Sequence, residues 1–120
     1  MASPFRLFAR IQVANSMANG VVYALVDPRE PHHRRYIGQA INPKMRFAQH
    51  LRDGFMINRR STRKAFWIKK LLDEGIAPAM IILEDKIPIV ATTEREQLWI
   101  SDSVSEGHCL LNAAHCGSKR

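Results

Sequence analysis

The sequence predicts a single α/β domain of the α+β kind, a small three-stranded sheet flanked by helices in the order β-β-α-α-β-α. Three observations carry this expectation. The chain has 120 residues, the usual size of one domain. Apolar, strand-like runs occupy 21–26, 35–38 and 78–83, bounded by turn residues as strands are. Segments of helical period, each opened by a capping residue, follow the second strand twice and the third once.

Taken in order, Ser3-Pro4 offers an N-cap followed by a proline suited to the first helical turn. Phe5, Phe8 and Ile11 would then share a face, although Ile11-Gln12-Val13 also alternates as a strand does, and the segment stays open between the two. Asn19-Gly20 marks a turn. Val21 to Val26 is β-branched and aromatic and reads as the first strand. Asp27 to His33 is a polar loop with two prolines, and Arg35 to Gly38 reads as the second strand of a long-looped hairpin. Asn42-Pro43 begins a helix expected to stop at Asp53-Gly54. Ser61 or Thr62 begins the next, with Phe66, Ile68, Leu71 and Leu72 as its apolar side and Gly75 as its end. Pro78 to Leu83 is apolar throughout and is expected to be the central strand. Thr92-Thr93 opens the last helix, with Thr93 and Glu96 matching a capping box and Leu98, Trp99 and Ile100 directed to the core. A return segment runs from Gly107 to Asn112. This divides the chain into an N-terminal extension (1–19), the domain (20–112) and a polar tail (113–120).

Charge narrows the function. Between Arg29 and Lys70 there are 12 Lys and Arg against two acids, a net of +10; between Leu71 and Glu106 there are two against eight acids, a net of −6. A basic block beside an acidic one points to a polyanion-binding face carried by one part of a fold. No apolar run reaches the roughly 18 residues of a membrane span. With no evident signal peptide and only Cys109 and Cys116, a cytoplasmic protein of a bacterium or phage with free thiols is expected. Met1 to Gly20 contains Arg6, Arg10 and no acid, so organelle targeting stays open as the alternative. His108-Cys109 and His115-Cys116 are metal-type pairs, but zinc ligands are normally spaced two to four residues apart rather than adjacent. Both pairs, and His32-His33, read as incidental.

Val21-Val22-Tyr23 and then Tyr36-Ile37-Gly38 after a hairpin loop resemble the paired signature of the GIY-YIG nucleases. The family pattern continues in order: Arg46 eight residues after Gly38, His50 four further on, Glu96 three before Trp99-Ile100, and Leu110-Leu111-Asn112 as the closing element. Val21 departs from it, standing where the family has glycine. The resemblance covers Gly20 to Asn112. It implies Tyr23, Tyr36, Arg46, His50, Glu96 and Asn112 as site residues, Glu96 as ligand of a Mg²⁺ (or Mn²⁺) ion, and DNA as substrate.

Residue chemistry is compatible with these roles. One carboxylate can hold Mg²⁺ if water and substrate phosphate complete the shell; taken alone, Glu96 is an ordinary surface glutamate or a helix cap. Glu94, two residues away, points elsewhere. Arg46 offers a planar fork of donors for a phosphate, and on a helix it shares a face with His50. Tyr23 is the expected activator of water, although a phenol with a pKa near 10 needs a cation nearby for that. Tyr36 would orient water or phosphate. Asn112 would bond within the site or cap a turn. Arg35, Lys44, Arg59, Arg60, Arg63, Lys64, Lys69 and Lys70 are expected to follow the DNA backbone, supplying salt-sensitive affinity with little sequence information. With no separate reading domain, specificity would come from loops, a homodimer or a targeting partner.

Overall fold

In a computed structural model the described residues, 19–112, form the expected order of elements. They are β1 (Asn19–Val26), β2 (Arg34–Ala40), α1 (Pro43–Phe55), α2 (Arg63–Asp73), β3 (Ala79–Pro88), a 3-10 turn (Ile89–Ala91) and α3 (Thr92–Ser105). The helix-or-strand expectation for the N-terminal segment and the expectation of a polar tail lie outside these residues. No helix among the described residues is long and apolar enough to cross a membrane.

The sheet is antiparallel with the order β2-β1-β3. The central strand is therefore β1, which corrects the expectation for Pro78 to Leu83. An unbroken apolar run marks a strand buried on both faces, and both runs qualify on paper. Val21 to Val26 is the one that is wholly buried, whereas Ile81 in β3 is 39% exposed. The strand's alternation splits the core in two. Val21, Tyr23 and Leu25 pack with Phe47 and Leu51 of α1 and Trp67, Ile68 and Leu72 of α2. Val22 and Ala24 pack with Trp99, Ile100 and Val104 of α3, and with Leu110. The sheet is thus the middle of three layers. Val21, the departure from the family triplet, is a fully buried core residue.

Local chemistry explains where the helices begin and end. Asn42 caps α1 by accepting from the Met45 N–H at 3.1 Å, and Thr62 caps α2 by accepting from Ala65 at 3.1 Å. After α2, Gly75 takes φ 77°; its N–H reaches the Leu72 carbonyl and that of Ile76 reaches Leu71, a Schellman ending. Other expectations fail for reasons of packing. Gly54 does not stop α1, which runs on to Phe55. A Cβ at Gly54 would lie 2.5 Å from Ile68 Cγ2, so the glycine permits α1 to press against α2. Phe66 and Leu98 are 46% and 49% exposed, because Trp67 and Trp99 take the sheet-facing sides of their helices. The capping box does not form. The 3-10 turn runs directly into α3, the Thr92 hydroxyl donates back to Pro88 and Ile89, and Thr93 and Glu96 instead receive the Gln39 amide.

The outer edge of β2 is covered by the return segment. The Arg34 N–H donates to His108 Nδ1, the Cys109 N–H to His33 Nε2, Arg35 Nε to the Cys109 carbonyl, and the Leu111 N–H to the Arg35 carbonyl. Asn112 closes the row, accepting from Ile37 N–H at 2.9 Å and donating to its carbonyl at 2.8 Å. Cys109 is disulfide-bonded, which corrects the expectation of a free thiol there. That expectation rested on compartment alone; Cys116 lies outside the described residues.

Candidate active site

The candidate site straddles the β2 side of the sheet. Tyr23 on β1 lies opposite Gly38 on β2, and its side chain crosses the space a Cβ at that position would fill. A Cβ built on Gly38 would meet the Tyr23 hydroxyl and sit 2.6 Å from Cζ. Glycine is required here by close approach, with no unusual backbone angle involved. From the helix above, His50 places Nε2 2.6 Å from the Tyr23 hydroxyl. Tyr36 completes an aromatic triangle, its ring 5.5 Å from His50 and 6.5 Å from Tyr23.

Burial sets the protonation of this trio. Desolvation, reinforced by Tyr36, pushes the Tyr23 hydroxyl well above the ordinary phenol range, while the charge of Arg46 pulls the other way. Tyr36 is raised as well, by burial and by the negative charge of Glu96. His50 is driven down to about 3 by burial and by the charges of Lys64 and Arg46. At neutral pH the cluster therefore holds two phenols and a neutral imidazole. His50 is 3% exposed and its Nδ1 has no hydrogen-bond partner. An imidazole has a single proton when neutral, so one side of the ring goes unsatisfied whichever nitrogen carries it.

Arg46 and Glu96 reach this cluster from opposite faces of the sheet, and Gln39 joins them. Arg46 Nη1 donates to the Gln39 carbonyl at 3.2 Å, and Gln39 Nε2 donates to Glu96 Oε1 at 2.8 Å. Beside them opens a groove of about 390 Å³ that includes Gln39, Asn42, Arg46 and Gln49 among its walls. Neither family models, characterised proteins nor solved structures gave a match to this chain. Among the described residues no three His, Cys, Asp or Glu are gathered to hold a metal ion. Glu96 is the carboxylate at this site, and a single carboxylate suits a hard cation that keeps most of its ligands as water or phosphate oxygens.

Of the site residues expected from sequence, Tyr23, Tyr36, Arg46, His50 and Glu96 come together. Asn112 lies beside them rather than among them, its amide engaged with the backbone next to Tyr36. The basic residues divide into three groups. Lys64 belongs to the cluster: its Nζ lies 5.2 Å from the Tyr36 ring centre, and it pairs with Asp53 at 3.6 Å. Arg35 is drawn into the fold, over the Trp67 ring at 5.6 Å and bonded to Cys109, and Lys69 is paired with Asp73 at 2.8 Å. Lys44, Arg59, Arg60, Arg63 and Lys70 are exposed. The residue that sequence reasoning misses is Gln39. The only available signal is its place next to Gly38, and its role depends on a strand register that the sequence does not display.

Proposed function

We propose that the chain is a Mg²⁺- or Mn²⁺-dependent DNA endonuclease of the GIY-YIG type. The observation that carries the reading is the meeting of Arg46 and Glu96 at Gln39, beside the Tyr23–His50–Tyr36 cluster. A guanidinium, a carboxylate and two phenols converge there without forming an ion pair that would quench them. The guanidinium would bind the scissile phosphate and stabilise the charge that grows on it during in-line attack by water. A cation held by Glu96 would supply Lewis-acid stabilisation and lower the pKa of the attacking water. Tyr23 would take up the proton of that water. Because burial keeps it protonated at rest, it would act as a base only after its hydroxyl had lost its own proton to solvent, which the positive charge of a bound cation would favour. His50 would fix the Tyr23 hydroxyl in line, and the exposed basic residues would follow the backbone.

The test is cleavage of supercoiled plasmid in Mg²⁺. Wild-type protein should nick or linearise it, and Glu96→Ala should abolish cutting while leaving DNA binding largely intact. If Glu96→Ala cuts as fast as wild type, the site is wrongly assigned. If wild type binds but cuts no form of DNA, a non-catalytic nucleic-acid-binding module is the reading that survives. Cleavage that appears only with a second protein present would make this chain the catalytic subunit of a targeted complex.

A further inference from the structure

At the end of α1 remote from Arg46, two apolar side chains stand outside the core. Phe55 is 73% and Met56 67% exposed, and neither packs in either half of the core. Their exposure does not come from a loose chain. Gly54 presses the last turn of α1 against Ile68. Beyond it, the Met56 N–H bonds to the Arg52 carbonyl at 2.9 Å, Asn58 N–H to Ser61 Oγ at 2.9 Å and Arg60 N–H to Asn58 Oδ1 at 2.7 Å. The result is an apolar tip held in place.

The surroundings of the tip are cationic. Arg52, Arg59, Arg60 and Arg63 are exposed, and none is ion-paired among the described residues. The neighbouring acid, Asp53, is exposed on the wall of the same groove but is ion-paired with Lys64 at 3.6 Å, leaving the four arginines in excess. A second copy of this face, or an apolar partner protein, would have to bury these guanidiniums against like charge or hydrocarbon; a polyanion would neutralise them. A groove of about 290 Å³ leads from Met56 past Arg60 to Lys64, and Lys64 lies over Tyr36. The tip and the candidate site are thus two ends of one basic track. Along α1 the separation from Arg46 to Phe55 is about 13 Å, roughly the length of four stacked nucleotides.

A duplex hides its base faces, whereas a single strand offers them to an exposed aromatic. We infer that Phe55 and Met56 form a base-stacking platform for a single-stranded DNA segment lying in the α1–α2 groove. The substrate is then DNA with single-strand character, and the stacked base lies about four nucleotides from the scissile phosphate. The choice of DNA rests on the proposed nuclease reading; the platform rests on exposure and charge alone.

Binding measured in EDTA tests the platform independently of any cutting, using a fluorescein-labelled mixed-sequence 20-mer as single-stranded DNA, as duplex and as RNA. Phe55→Ala should weaken single-stranded DNA binding about tenfold, lower the ratio of single-strand to duplex affinity, and remove the quenching of a 2-aminopurine base in the strand. Phe55→Trp should retain all three properties. Since the side chain is exposed, unchanged thermal unfolding of both variants is expected. Equal losses on single strand and duplex, no loss at all, or tighter binding of RNA than of DNA would each overturn the inference. So would a wild-type dimer in sedimentation that Phe55→Ala converts to monomer, since the face would then belong to a second copy. A platform that passes in a protein that never cuts would sink the nuclease reading alone.

Discussion

Acidification from about pH 7.5 to pH 5 should destabilise the fold by about 2 kcal/mol through His50 alone. The unfolded imidazole titrates at its ordinary 6.5, whereas in the fold it is held down to about 3. A depressed folded value means that the neutral form is the one the fold accepts. The stabilisation is complete above 6.5 and is lost progressively as pH falls toward 3, because only the unfolded chain gains the proton. At pH 5 the unfolded imidazole is about one and a half units below its pKa, and each unit corresponds to about 1.4 kcal/mol. Urea unfolding of wild type and His50→Gln at both pH values isolates the effect. His33 is also depressed, by burial and by Arg35, but it contributes to both proteins and cancels in the difference. Wild type should lose about 2 kcal/mol more than the variant on acidification. Equal losses would mean that His50 is not buried as a neutral imidazole, and the account of the Tyr23–His50 pair would fall with it.

Cleavage in Mg²⁺ should keep rising with pH, close to tenfold per unit over about pH 6–8, because Tyr23 rests protonated; a flat pH–rate profile there would exclude Tyr23 as base. Gly38→Ala should lower stability by about 2 kcal/mol through overpacking against the Tyr23 ring, read as a Tm lower by about 10 °C. An unchanged Tm would contradict the close approach. Asn112→Ala should cost about 1 kcal/mol, since water can replace a bond at an exposed edge, and should speed hydrogen exchange at the Ile37 amide. If that amide exchanges no faster, the clamp is not what protects it.

The parts of the molecule that were legible in the sequence are those set by neighbours along the chain. Asn42 and Thr62 cap because a short polar side chain one position before a helix reaches the open N–H groups, whatever lies elsewhere. Gly75 ends α2 for an equally local reason. Legibility fails where the decision belongs to a distant partner. Helical period identifies α2 and α3 as amphipathic but does not say whether Phe66 or Trp67, Leu98 or Trp99, meets the sheet. Two apolar runs look alike until pairing makes β1 the middle strand and β3 an edge. Gly54 reads as a stop until Ile68 is known to lie against it. At the site, the tyrosines, Arg46 and Glu96 are singled out by the resemblance to a family pattern, since each alone reads as an ordinary strand or surface residue, whereas Gln39 acquires its part only when β2 lines up with β1 and α3 arrives from the other face.

The strip of backbone from His108 to Asn112 has a consequence for how the molecule comes into being. It seals the outer edge of β2 through bonds to partners 74 to 76 positions earlier in the chain. During synthesis β2 emerges long before its covering does, so the edge beside Tyr36 stays open for most of the time the domain is being made. Contacts so distant in sequence form late, because the intervening chain must be ordered first. An uncovered strand edge recruits other strands. Interruption of translation shortly before residue 108 should therefore yield a chain with every helix and strand of the domain but a strong tendency to associate through β2.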